Sequence, residues 1–263
     1  MAKYLKTIDA GALQVAALYD KPNGREPPAT RAEKKKNSSA AQRRMNQIYS
    51  YQKLELMLAT NFPTPGTGLV VTLTYDDKHM PASRKKAQQR FKYFLKKLRK
   101  AREDAGLPEP VAFWAPEILT SASGRWHHHA VIDATGNDYE MIRRCWIYAS
   151  EIKVEPIRVD AEKNHETLAR YMTKELRECQ EYEAKPGLHS WSCTQNARKP
   201  LTDKVTVDDD YRLEPPEGCT VLSDERKATE WASYHIIKYR YDPAGYKKKP
   251  RTIRRRKRGP AFY

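Results

Sequence analysis

The chain has 263 residues, enough for one or two domains with a buried core. Hydrophobic residues make up 39% of it and charged residues 31%, and no apolar run reaches the ~18 residues that a membrane-spanning helix needs. The net charge of +16 instead makes a polyanion the expected partner, nucleic acid first.

The opening stretch MAKYLKTIDAGALQVAALYD holds one short apolar patch. Asp9 and Gln14 flank or interrupt it, so it does not read as a signal peptide. Cys145, Cys179, Cys193 and Cys219 include no CxxC pair, which argues against a zinc site or a disulfide framework. A cytoplasmic, bacterial protein without a membrane partner is the expectation.

Residues 1–64 form a basic, partly helical N-terminal region, and NFPTPGTG at 61–68 breaks it. LVVTLTY (69–75) is short and rich in β-branched residues, so it is a strand. In the next segment Ala87, Phe91, Phe94, Leu95 and Leu98 recur at helical spacing, with Ser83 as N-cap and Gly106 near the stop. PVAFWAPEI (110–118) is a second strand, whose Pro116 suggests an edge or a bend. A short polar turn, TSASG, leads to a third strand, GRWHHHAVID (124–133). DYEMIRRCWIYA is helical, EIKVEPIRV extended, NHETLARYMTKELREC helical, and LHSWSCTQ extended.

The order β-α-β-β-α-β-α-β suits an α+β domain over 65–200: an antiparallel sheet with helices on one face, related to the split βαβ design. Residues 201–263 form a C-terminal extension. It begins acidic and turn-rich and ends with nine Lys or Arg among residues 247–258, a polyanion-binding tail.

Strand alternation sorts the three histidines. His127 and His129 share one face, and His128 faces the other way. Two imidazoles at i and i+2 are close enough to share a cation; the competing reading is a polar strand face in which each finds a hydrogen bond. Two ligands are too few for a tight site. Glu117 ends the preceding strand, and a hairpin would bring it beside the pair. Two imidazoles and a carboxylate suit Mn²⁺ or Mg²⁺, with adventitious Zn²⁺ or Ni²⁺ as competitors.

Tyr171 and Lys174 in ARYMTKE lie i, i+3 on one helix face. A tyrosine hydroxyl can act as a covalent nucleophile when a cation stabilises its phenolate and a metal activates the target phosphate. The competing reading is a packed tyrosine and a solvated lysine.

LVVTLTY, WHHHAVI and YMTK, in this order, resemble the three motifs of the HUH endonuclease family, in particular the rolling-circle replication initiators of bacterial plasmids and phages. The resemblance covers roughly 69–200. It implies a central antiparallel sheet with the histidine pair on a middle strand and the tyrosine helix over it. It makes His127, His129 and Glu117 the metal ligands, Tyr171 the nucleophile and Lys174 its electrostatic aid. The implied reaction is metal-dependent, sequence-specific nicking and joining of DNA through a 5′-phosphotyrosine, with a 3′-hydroxyl left to prime synthesis. The implied substrate is single-stranded DNA or a supercoiled origin with a hairpin. Two departures are the polar His128 where the family usually carries an apolar residue, and a single tyrosine in the third motif.

The chain has no GxxxxGK[ST] sequence, so a host helicase and a host DNA polymerase are expected partners. Arg125, Lys85, Lys86, Arg90 and Lys97 are the candidate DNA contacts, which would make binding strongly salt-dependent. Trp114 and Trp126 either stack on bases or pack in the core. Alternative functions are a single-tyrosine transposase, a relaxase (disfavoured because relaxases place the tyrosine before the histidines), or a non-catalytic single-stranded nucleic-acid-binding protein.

Overall fold

The computed structural model describes residues 3–20, 40–118, 125–160, 164–173, 189–228 and 233–241, without the side chains of 40–43 and 116–118. The TSASG turn, Lys174 and the basic tail lie outside the described residues. The fold is α+β, and the chain divides into two compact units, 37–198 and 1–36 with 199–263.

The larger unit follows the expected order. After helix α1 (Ala40–Asn61) come β3 (Gly68–Leu73), α2 (Arg84–Asp104), β4 (Ala112–Ile118), β5 (Trp126–Asp133), α3 (Asp138–Cys145), β6 (Ile152–Pro156), α4 (Glu166–Met172) and β7 (Ser192–Cys193). The five strands form one sheet in the order β6-β3-β5-β4-β7, with every pairing antiparallel. The histidine strand β5 is therefore central. Pro116 lies beyond the short pairing of β4 with β7, which involves Phe113 and Trp114, so its missing N–H breaks no ladder there.

Helices cover both faces of this sheet, not the one face expected. On one, Phe91, Phe94 and Leu98 of α2 and Ile142 and Cys145 of α3 pack on Val71, Leu73, Trp114, Ala130 and Ile132. On the other, Leu54, Met57, Leu58 and Phe62 of α1 and Ala169 and Met172 of α4 pack on Phe113 and Val131. The apolar positions of α1 are spaced for one helix face, so the helix assigned to a separate basic region belongs to the core of the site's own unit. Each large buried side chain contributes about 1.5–3 kcal/mol.

Helix α2 begins and ends as its sequence signals. Ser83 accepts a hydrogen bond from the Lys86 backbone N–H at 3.3 Å. Gly106 takes φ 68°, and the Gly106 and Leu107 N–H groups close back on Glu103 and Arg102. The Arg102 side chain is fully buried and tied to Asp133 and Asp138.

The smaller unit is a second antiparallel sheet of β1 (Lys3–Ala10), β2 (Leu13–Asp20), β8 (Leu201–Val207), β9 (Cys219–Ala228) and β10 (Ser233–Tyr241), ordered β8-β1-β2-β10-β9. The opening stretch, read from sequence only as an apolar patch, is a hairpin. Gly11 turns it at φ 79°, and Asp9 Oδ1 accepts from the Gly11 N–H at 3.0 Å and from Gln14 Nε2 at 2.8 Å. Leu5, Ala16, Leu18, Val207, Leu213, Ile237 and Tyr239 form this unit's core. Cys145, Cys193 and Cys219 are free thiols.

Candidate functional site

The β3–β5–β4 register builds the site. Thr72 is paired with His129, and Glu117 with His127. Direct partners in an antiparallel sheet share a face, so Thr72, His127, His129 and Glu117 all occupy positions on the α1/α4 side. The side chain of Glu117 is outside the described set.

His127 and His129 are buried and meet edge to face, with ring centroids 4.6 Å apart. Their Nε2 atoms are 2.9 Å apart. Without a metal, one Nε2–H must donate to the other nitrogen. Two nitrogens each ~2.0–2.1 Å from one ion and at right angles about it are also ~2.9 Å apart, so the pair has the spacing of adjacent ligands. His129 Nδ1 lies 3.4 Å from Thr72 Oγ1. A hydrogen on Nδ1 pointing at that oxygen leaves Nε2 as the donor to a cation, the usual arrangement behind a metal-bound imidazole. Among the described residues no group of three or more His, Cys, Asp or Glu side chains converges on a metal position.

His128 turns to the opposite face, as alternation requires. It is fully buried, with Nε2 2.7 Å from the Tyr75 hydroxyl, and packs on Phe91 and Trp146. Burial, with smaller contributions from the neighbouring histidines, pushes its pKa down to about 3. The polar residue between the two site histidines is thus a hydrogen-bonded core group.

Helix α4 brings Tyr171 to the histidine face. Ala169 and Met172 face the core, while Tyr171 is 48% exposed. Its ring packs on His129 with centroids 4.6 Å apart and planes tilted by 59°. The site therefore joins two buried imidazoles to a phenol that solvent and a substrate can reach. Next to it, Arg170 donates to Glu166 and to the Tyr51 hydroxyl, at 2.7 and 2.6 Å, linking α4 to α1.

The start of α4 is anchored by His165, whose Nε2 donates to the Phe62 carbonyl at 2.9 Å. Burial lowers its pKa to about 4. Both His128 and His165 are held neutral in the fold, against ~6.5 in the unfolded chain. The stability they contribute is complete above pH ~6.5 and is lost as pH falls towards their folded values. Urea denaturation at pH 7 and pH 5 is expected to show a loss on the order of 1–2 kcal/mol per group. His165→Gln should remove its share of that pH dependence, and an unchanged slope would contradict this.

The predicted DNA contacts fare differently. Lys85 and Lys86 are exposed on α2. Arg125 pairs with Asp77 and donates to the Tyr75 carbonyl at 2.7 Å. Arg90 donates to the His79 carbonyl and lies over the Tyr75 and Tyr148 rings. Lys97 lies 5.2 Å over Tyr93. Trp114 is in the core, stacked on Phe91, and Trp126 is half-buried. Thr72 has no assigned part in the sequence reading of LVVTLTY; counting back along a strand paired with the histidine strand would have found it.

Residues 68–177 match the model of the replication-associated protein family named for ORF2. The match begins at the first residue of β3 and includes Glu117, His127, His129, Tyr171 and Lys174. No curated protein matches the chain, and no solved structure does. The replication-associated region thus coincides with the strands and helices that build the site, and with the stretch whose motifs resemble the rolling-circle initiators. No described helix is long and apolar enough to cross a membrane.

Proposed function

We propose that this protein initiates rolling-circle replication by nicking and rejoining one DNA strand through Tyr171. The observation that carries the reading is the Tyr171 ring lying against His129, itself paired with His127, inside the region that matches a replication-associated family.

His127 and His129 would hold a divalent ion, Mn²⁺ or Mg²⁺, with Glu117 as third ligand from its place opposite His127. When bound, such an ion supplies electrophilic activation of a phosphate oxygen. Thr72 fixes the His129 ring through Nδ1. The Tyr171 hydroxyl loses its proton and attacks phosphorus. A P–O bond to tyrosine forms as the bond to the 3′ oxygen breaks, and that oxygen takes up a proton. Lys174 supplies positive charge to the phosphate. The 5′ end stays on the enzyme and the free 3′-hydroxyl primes synthesis. Phosphodiester bonds are conserved, so a later 3′-hydroxyl reverses the step without ATP. Unwinding and extension fall to a host helicase and polymerase. Lys85 and Lys86 on exposed α2 contribute salt-dependent affinity.

The test uses end-labelled single-stranded DNA and supercoiled origin DNA with Mn²⁺, followed by denaturation. Wild-type protein should carry a covalent DNA adduct, and Tyr171→Phe should lose it by at least ~10³-fold, since no neighbour replaces a missing nucleophile. Equal adduct from the phenylalanine variant would sink the proposal.

A further inference from the structure

The sheet of the smaller unit has one face committed to its core and another without an assigned task. Lys3, Leu5, Leu18, Ala16, Val207, Ile237 and Tyr239 alternate with the second set, so the two faces separate cleanly. On the second face Tyr4, Tyr19 and Tyr234 stand in register across three adjacent strands. All three are half-buried, each with part of its side chain open to solvent. Neighbouring strands are ~4.8 Å apart, so the three phenols form a continuous aromatic row. Tyr4 and Tyr19 have ring centroids 5.8 Å apart.

Cations surround the row. Lys204, exposed on β8, sits 3.9 Å over the Tyr4 ring and 5.4 Å from the Tyr19 ring centre. Lys6 is its register partner on β1, and Lys227 is opposite Tyr234 on β9. Lys238 and Arg240 extend the same face, where Glu225 is the one carboxylate among the described residues. The acids of these strands, Asp9, Asp20, Asp203 and Asp224, pair into the other face. Aromatic rings open to stacking with ammonium groups beside them are what unpaired bases and their phosphates require.

We propose that this face binds single-stranded DNA, with bases stacked on the Tyr4–Tyr19–Tyr234 row and phosphates held by Lys6, Lys204 and Lys227. The choice of DNA as the strand rests on the replication reading; the stacking surface itself does not depend on Tyr171 chemistry. It is a second nucleic-acid site, built from the unit that lies outside the family match.

The experiment measures binding of the full chain to fluorescent dT20 by anisotropy, without metal, so that nicking makes no contribution. Tyr19→Ala with Tyr234→Ala should weaken binding by about 10-fold or more, while Tyr19→Phe with Tyr234→Phe retains it. Lys6→Glu with Lys204→Glu, at solvent-reaching positions, should weaken binding and lower the slope of log affinity against log salt by about 1.4. Circular dichroism checks that each variant is folded; if the alanine pair is not, the lysine pair decides. Folded variants binding within two-fold of wild type would overturn the proposal. So would tighter binding to rU20 than to dT20. A dimeric wild type whose variants turn monomeric with DNA affinity intact would make a second copy the occupant and overturn it as well. Adduct formation through Tyr171 is scored separately: its absence with dT20 binding intact removes the nicking reading and leaves this one standing.

Discussion

Replacing His127 and His129 together by alanine is expected to abolish metal-stimulated strand cleavage while leaving the fold intact. The two rings meet each other through Nε2 at 2.9 Å and support no apolar layer beyond Val131 on their face. What they offer is a pair of nitrogen donors at adjacent-ligand spacing beside a phenol. Removing both leaves Glu117 and the DNA as the remaining ligands, and Tyr171 then faces an unactivated phosphate. A loss of at least ~10³-fold in adduct formation follows, comparable to losing a strong electrostatic stabiliser of a developing oxyanion. Mn²⁺ affinity, read by electron paramagnetic resonance of the free ion, should fall by ~100-fold or more in the same variant. Full activity in the double variant would remove the histidines from the chemistry.

The largest expected loss of stability comes from Arg102. Its guanidinium is fully buried, with Nη1 at 2.8 and 2.9 Å from the Asp133 carboxylate oxygens, and Nη2 at 2.7 Å from the Asp133 carbonyl and 3.3 Å from Asp138. Asp133 closes the histidine strand, Asp138 opens α3, and Arg102 lies in the last turn of α2. One side chain therefore ties three elements together. Arg102→Ala leaves two carboxylates near the interior without their cation, a change that costs about 3–5 kcal/mol. Arg102→Lys keeps the charge but not the fork, and should recover only part of the loss. At ~2–4 °C per kcal/mol for a unit of this size, the alanine variant should melt well below wild type. A shift within one degree would contradict this assignment.

Much of the site was legible from sequence because it rests on short-range periodicity. Alternation alone divided the histidine triplet, and the register places His128 against Tyr75 and the other two against each other. The i, i+3, i+4 pattern and the Ser83 cap located α2 to within a residue or two. What was not legible depends on contacts distant in the chain. Nothing local in the cation-rich segment before Asn61 says that Leu54, Leu58 and Phe62 cover the sheet's second face. The hairpin at 3–20 was hidden because its partners β8 and β10 lie almost two hundred residues away. Arg90 and Arg125 resembled phosphate contacts in a basic chain, yet both guanidinium groups are engaged around Tyr75. Charge in a sequence does not show whether the protein itself has already used it.

The most direct measurement digests the denatured protein–DNA adduct formed with Mn²⁺ and locates the modified residue by mass spectrometry. The account predicts a 5′-phosphonucleotide on the Tyr171 Oη, with a free 3′-hydroxyl on the released strand that a polymerase extends. An adduct on another residue, or cleavage with no protein-linked strand, would contradict it.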